Sequence, residues 1–261
     1  MKIIDLTEEY EKTFFVCFED WSDEMKEAKN HKEIWYNKMK DKGLRVKLAL
    51  DDNGVAGGMI QYLPIEQSSV EGKDQYFINC IWVHGHKQGI GNIQKKGMGS
   101  ALIQAAGEDA RNLDAKGIAA WGIILPFWMK ASWFKKYGFK RVDRIGFQAL
   151  MWKPFTDDAV PPRLIREKKK PEPVPGKVKV TAFINGWCPA QNIVFERAKR
   201  ASAEFGDKVI FEEINTSDRD VFLEWGILDG LYIDKKQVNT GPPPEYKKIV
   251  KLIGKRVRKI S

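Results

Sequence analysis

The chain has 261 residues, 43% hydrophobic and 30% charged, with a formal net charge of +9; this length suggests roughly two domains, and the balance is too apolar for a disordered protein. No stretch approaches the ~18 uninterrupted apolar residues of a membrane helix and the charged first residues do not read as a signal peptide, so a cytoplasmic protein without a membrane span is expected. Cys17, Cys80 and Cys188 form no CxxC pair, which argues against a disulfide framework or a zinc knuckle, and no metal is implied.

In chain order, Thr7 to Phe18 and Ser22 to Lys42 read as helices. Ser22 caps the second, Asp23 and Glu24 stand in its first turn, and Gly43 is its stop. Phe18, Trp21, Trp35 and Tyr36 recur at helical spacing, which reads as ordinary packing ahead of a surface for a flat substrate. The period then changes. Arg45 to Leu50 and Val55 to Leu63 are strands about the turn Asp51-Asp52-Asn53-Gly54, and Gln75 to Val83 is an aromatic, β-branched strand. A glycine-rich stretch leads into a helix from Ser100 to Leu113, Gly117 to Leu125 is a strand, a helix around Met129 to Tyr137 stops at Gly138, and Arg141 to Trp152 forms a closing hairpin. The order α-α-β-β-β-α-β-α-β-β predicts an α/β (α+β) domain with a mixed sheet and helices on both faces.

From Asp157 to Lys177, five prolines and a lysine run exclude a regular element. The expected division is therefore a domain over 1–156, a linker over 157–176 and a second domain over 177–261. In the latter, Lys177 to Ile184 is a strand, Asn192 to Phe205 a helix, Val209 to Ile214 a strand and Ser217 to Trp225 a helix. Gly230 to Ile233 and Gln237 to Val238 form a hairpin, and Glu245 to Val257 is a last helix, giving β-α-β-α-β-β-α.

The stretch Gln94-Lys95-Lys96-Gly97-Met98-Gly99-Ser100 joins a strand to an amphipathic helix. Gly97 and Gly99 let the backbone approach a ligand, and the N–H groups at the positive end of the helix favour a phosphate. Here the chain resembles the GNAT N-acetyltransferases, whose pyrophosphate loop reads Arg or Gln, two residues, Gly, one residue, then Gly or Ala. Gln94, Gly97 and Gly99 match. Cys80-Ile81-Trp82-Val83 stands where that family has its fourth strand, and Trp133-Phe134-Lys135-Lys136-Tyr137-Gly138-Phe139 resembles its late helix and Gly-Phe pair. The resemblance spans about residues 1 to 153. It implies a splayed sheet and transfer of an acetyl group from acetyl-CoA to an amine of a small molecule or protein. The implied cofactor contacts are Trp82, Val83, His84, Gln94, Lys95, Lys96, Gly97, Met98, Gly99, Ser100 and Phe134, with the thioester carbonyl polarised by backbone near Val83 and His84. A second pair, Gly89-Ile90-Gly91, lies in the long loop His84 to Ile93, a candidate cover for cofactor or acceptor.

The chain departs from the family's pattern at the proton donor. Many relatives have a Tyr five residues before the Phe of the Gly-Phe pair, where this chain has Phe134, and an Asn near the start of that helix, where it has Pro126 and Phe127. His84, His86, Tyr137, Cys80 and Glu66 are the replacement candidates. The histidines suit base chemistry by their intrinsic pKa, whereas Cys80, in an apolar strand, reads as a buried inert thiol before an acyl-carrying nucleophile. A non-catalytic acyl-CoA-binding module is the alternative reading.

Further along, Asn185-Gly186-Trp187-Cys188-Pro189 opens a helix where a thioredoxin has its active-site pair, and the order of elements resembles that fold. Gln191 holds the second-Cys position and Leu228-Asp229 stand where thioredoxins have a cis-Pro, so dithiol exchange is not expected. Cys188, at a helix N-terminus, is a candidate reactive thiol, which keeps a thiol-based ligand-binding or redox adaptor as a third reading. The fused arrangement, with Thr240-Gly241-Pro242-Pro243-Pro244, resembles the YoaP-like family. The basic stretch Lys247 to Ser261 is expected to be a docked helix with a solvated basic face. No nucleic-acid recognition motif appears. Neither the acceptor amine nor the oligomeric state follows from the sequence.

Overall fold

A computed structural model describes residues 1–125, 128–238 and 241–260. Expectations that involve Pro126, Phe127, Thr240 and Ser261 lie outside them. The chain divides into two compact units, one of residues 1–21 and 37–165, the other of residues 22–36 and 166–261.

The first half of the chain forms β1 (Lys2–Asp5), α1 (Glu8–Phe15), α2 (Asp23–Lys26), α3 (His31–Lys40), β2 (Arg45–Leu50), β3 (Ala56–Pro64), β4 (Val70–Glu71) and β5 (Tyr76–Val83). It continues with α4 (Met98–Asn112), β6 (Gly117–Ile123), α5 (Ala131–Lys135), β7 (Lys140–Ile145), β8 (Gln148–Pro154) and β9 (Arg163–Leu164). The predicted helix Ser22 to Lys42 is broken, because Lys29 takes a left-handed conformation at φ 53° between α2 and α3. No glycine or proline marks that break. Arg163–Leu164, placed in the predicted linker, pairs with Val70–Glu71 instead, which ties residues before 166 to the first unit.

Seven strands form the first sheet in the order β1-β2-β3-β5-β6-β8-β7. Every neighbouring pair is antiparallel except β5 with β6. Helix α4 is the crossover that a parallel pair requires. Its Leu102, Ile103, Ala106 and Ala110 recur at helical spacing and are buried against Ile60, Tyr62, Ile78, Ile81 and Ala120.

Hydrophobic burial alone leaves such a helix free to slide, and Asp109 fixes it. Its carboxylate accepts from Arg45 Nε and Nη2, both at 3.0 Å, and from the Tyr62 hydroxyl at 2.6 Å, with Lys47 Nζ 3.5 Å away. Burial opposes ionisation of Asp109, but those hydrogen bonds and charges hold its carboxyl below the usual range, while burial and Asp109 push the Tyr62 phenol up.

The second unit contains β10 (Val178–Ile184), α6 (Pro189–Ala203), β11 (Val209–Asn215), α7 (Arg219–Trp225), β12 (Gly230–Ile233), β13 (Lys236–Val238) and α8 (Tyr246–Val257). Its sheet runs β11-β10-β12-β13, with only β10 and β11 parallel. Val178, Val180, Ala182 and Ile184 alternate onto one face, against Val194, Ala198 and Ala201 of α6 and Ile249, Ile253 and Val257 of α8. Arg197, with only 8% of its side chain exposed, binds Glu24 at 2.8 Å and Glu27 at 2.7 Å, and donates to the Pro244 carbonyl at 3.0 Å. A buried guanidinium needs such carboxylates, and residues 22–36 supply them. The boundary expected at 157–176 is corrected accordingly. Among the described residues no helix is long and apolar enough to cross a membrane.

Asp109→Ala should destabilise the first unit by about 2–3 kcal/mol in urea unfolding, since it leaves the buried Tyr62 phenol without its acceptor and Arg45 without its bidentate partner. Because the native carboxyl is depressed, that stabilisation is present above the unfolded pKa and lost as pH falls through the folded one. A variant as stable as the parent at pH 7 would refute this role.

Candidate functional site

The site begins at a bulge. Gln61 pairs with Cys80 and Tyr62 with Ile78, so Asn79 is an extra residue on β5, and a bulge of this kind bends and twists its strand. The parallel ladder between β5 and β6 covers only Tyr76–Ile78 with Ile118–Ala120. Past it the strands part. The Trp121 indole N–H donates to the Asn79 carbonyl at 2.7 Å, satisfying a group the bulge would otherwise orphan.

Antiparallel pairing fixes what faces the gap. The His84 N–H donates to the Gly57 carbonyl at 2.9 Å, so bonded pairs alternate through Met59–Trp82 and Gln61–Cys80, and the N–H and C=O of Ile81 and Val83 turn away from β3. The amide of His84 is thus spent, which corrects the expectation that it polarises a carbonyl. Val83, the other residue of that expectation, faces the gap, as does Ile81. On the far side, a Cβ at Gly122 would stand 2.9 Å from Ala131 Cα. Glycine there lets the chain cross β6, with the Ile123 N–H donating to the Met129 carbonyl at 2.7 Å.

The gap opens into a cavity of about 700 Å³, lined by Ile81, Trp82 and Val83 of β5, Gln94, Lys95 and Gly97 of the loop, Met98, Gly99 and Ser100 of α4, and Trp128, Met129, Lys130 and Trp133. No carboxylate is among them. Gly97, at φ 88°, caps α4 without a side chain, and no acidic residue stands in the first turn, so the helix presents bare N–H groups and its positive end to the cavity. Gln94 Nε2 donates to the Val83 carbonyl at 3.1 Å. A Cβ at Gly85 would come within 2.4 Å of that Gln94 amide.

Of the residues expected to hold a cofactor, Trp82, Val83, Gln94, Lys95, Gly97, Met98, Gly99 and Ser100 line the cavity, and Phe134, Lys96 and His84 do not. Phe134 is fully buried against Trp133 and Phe139, in the same core cluster as Ala149 and Met151 of β8. Lys96 is exposed. His84 is buried, with Nδ1 2.8 Å from the Gly91 carbonyl and Nε2 3.4 Å from the Trp21 indole N–H. With a carbonyl at Nδ1 and an indole N–H at Nε2, the ring braces the 84–93 loop. Gly89 backs Trp21, where a Cβ would meet the ring at 2.3 Å.

His86 is 44% exposed, its Nε2 3.5 Å from Glu19 and its ring between Trp21 and Trp82. Tyr137 meets Ser100, a cavity-lining residue, hydroxyl to hydroxyl at 2.6 Å, but does not itself line the cavity and instead borders a 340 Å³ cleft beside Lys136 and Lys153. Cys80 is buried opposite Gln61. Among the described residues the buried Gln61 amide and the Trp82 indole N–H lack partners. Glu66 accepts from the Asp74 N–H in an exposed turn and does not line the cavity. Sequence reasoning missed Trp128, Met129 and Lys130, whose place depends on Gly122.

In the second unit, Cys188 caps α6 and Pro189 is its first residue. Trp187 is buried and donates Nε1 to Asp229 at 3.0 Å, and the Asn185 N–H donates to the same carboxylate at 2.9 Å. Gly186, at φ 101°, approaches His31 and Trp35. Burial pushes the Asp229 carboxyl up to about 6 against those two donors.

No protein-family model matches the chain. No curated protein matches it either. Among solved structures it is similar to a GNAT family acetyltransferase from Brucella melitensis in complex with acetyl-CoA, at 17% identity, covering 61% of this chain and 90% of that one, with a TM-score of 0.42. It is also similar to the PaiA N-acetyltransferase from Thermoplasma acidophilum in complex with coenzyme A, at 16% identity, covering 59% and 100%, TM-score 0.43. A third is an aminoglycoside 6'-acetyltransferase type Ii, at 15% identity, covering 59% and 97%, TM-score 0.45.

The Asp229 carboxyl gives a test of the second unit. Because its folded pKa is raised, its contribution is full below about pH 4 and lost as pH rises through about 6. Asp229→Asn should shrink the stability difference between pH 4.5 and 7.5 by roughly 1–2 kcal/mol, allowing for screening by solvent. Urea unfolding at the two pH values measures this, and an unchanged difference would refute it.

Proposed function

We propose that the first unit is an acetyl-CoA-dependent N-acetyltransferase of the GNAT type, acting on an amine of a small molecule or protein in the cytoplasm. The single observation that carries this reading is the cavity where β5 and β6 part, walled on one side by the bare start of α4 and on the other by the strand edge of Ile81 and Val83, which has left its β6 ladder. The donor set fits a diphosphate: the N–H groups of Met98 to Ser100 converge with Lys95, Lys130 and the αL turn at Gly97, and no carboxylate opposes them.

Acetyl-CoA supplies the activated thioester when bound. Each remaining requirement falls to a group of this chain. The N–H groups of Ile81 and Val83 face the gap and suit polarisation of a carbonyl. Tyr137, hydrogen-bonded to Ser100 at the wall, is the proton donor in this reading, which replaces the Tyr lost at Phe134. His86, beside Glu19, is the base for the incoming amine. Gln61 and Trp82 offer buried polar atoms to the acceptor on the sheet face opposite α4.

The burial of Phe134 favours a second reading, a module that binds acyl-CoA without turnover. For the second unit we propose a thioredoxin-like, YoaP-like domain. One parallel pair followed by two antiparallel strands, with Cys188 at the start of α6, supports it.

Titration calorimetry should detect acetyl-CoA binding, and Gly97→Val, which forces a β-branched residue to φ 88°, should weaken it at least tenfold. In an assay of free-thiol release against an amine panel, Tyr137→Phe should lower kcat by roughly 10²-fold with KM nearly unchanged. Binding with no release from any amine would favour the module, and absence of binding at millimolar acetyl-CoA would end both readings.

A further inference from the structure

We propose that the groove between β13 and α8 binds an extended acidic peptide. The groove has a volume of about 660 Å³, and Ile233, Val238 and Leu252 give it an apolar floor. Its rim is cationic. Asp234 is spent on Arg256 and on the Lys179 N–H, and Lys235 is paired with Glu172 at 3.0 Å. That leaves Lys236, Lys248, Lys255 and Lys259 on the wall without a carboxylate partner among the described residues. Four like charges around one groove repel each other, and an anionic occupant relieves that cost.

Three observations favour a polypeptide. Lys248, Leu252, Lys255 and Lys259 fall on one stripe of the helix and its last turn, and the eleven steps from Lys248 to Lys259 span ~16 Å. An extended chain covers that length in about five residues and turns every second side chain to the same side. The second observation is a sheet edge. β13 ends the strand order and pairs only with β12 among the described residues. Ile233 and Lys236 flank the two-residue turn as its bonded pair, so the N–H and C=O of Gln237 point outward. Only a peptide backbone complements such an edge. The third is that no aromatic side chain lines the groove, which removes the stacking platform single-stranded nucleic acid uses. None of the exposed large apolar side chains among the described residues lies on β13 or α8, which argues against insertion into a membrane.

The test uses the full chain and fluorescence anisotropy with a fluorescein-labelled peptide of alternating Glu and Val, beside a labelled single-stranded oligothymidine of equal charge. Saturable peptide binding in 150 mM salt is expected. It should weaken at least tenfold in Lys248→Glu/Lys255→Glu and severalfold in Gln237→Pro, which removes the edge donor. The milder Lys248→Gln/Lys255→Gln pair should show the same direction if charge reversal perturbs folding by circular dichroism. No saturable binding, binding indifferent to the lysine changes, or tighter binding of the oligonucleotide would each overturn the proposal. None of these outcomes depends on the reading of the first unit.

Discussion

The first unit depends on a ladder that stops. After Ile78 and Ala120 the two parallel strands no longer share hydrogen bonds, and a cavity exists only because the polar groups left behind are accounted for. An orphaned amide in a protein interior costs about 1–3 kcal/mol, so an unmanaged gap of this kind would close or unfold. Each edge is managed separately. Trp121 answers the Asn79 carbonyl, Gln94 answers that of Val83, and the backbone of Met129 lies along Ile123. What remains bare, at Ile81, Val83 and the start of α4, is what a ligand can use.

Such a gap has value only if its two walls hold their spacing. The cluster at Asp109 lies near the far end of the helix whose first turn lines the cavity, and it locks that helix to β2 and β3 through Arg45 and Tyr62. Rotation of α4 would break directional bonds, whereas apolar contacts such as Leu102 with the sheet tolerate small slides. The second brace is the 84–93 loop. His84 is buried there with both nitrogens engaged, and Gly57 accommodates Ile93, whose Cδ1 would lie 1.9 Å from a Cβ at that position. A histidine that looks chemical in sequence is in the structure a strut.

Much of this was legible in the sequence wherever the signal is local. The strands from Arg45 to Val83, the helix begun by Gly97 and the hairpin closing the sheet follow from periodicity and turn residues, and the 94–100 loop announces itself by its glycines. What was not legible depends on partners distant in sequence. Nothing near Asn79 says bulge; it takes the register of β3 to make it one. Lys29 carries no sign of the break between α2 and α3. The role of Gly122 needs Ala131 lying across it, and Tyr137 gains meaning only from Ser100, 37 residues earlier. The apparent linker held a strand, Arg163–Leu164, too short to stand out among prolines.

The unit that carries Cys188 is discontinuous, and this bears on how the protein is made. Arg197 is charged and almost covered, and the carboxylates that neutralise it, Glu24 and Glu27, leave the ribosome long before it does. At roughly 5–20 residues per second, the segment 22–36 waits on the order of ten seconds for the helix it serves. The nascent first unit must therefore tolerate a stretch lodged near its beginning that gains its counter-charge only late in translation, and a gene cut between the two halves would deprive the later one of its own anions.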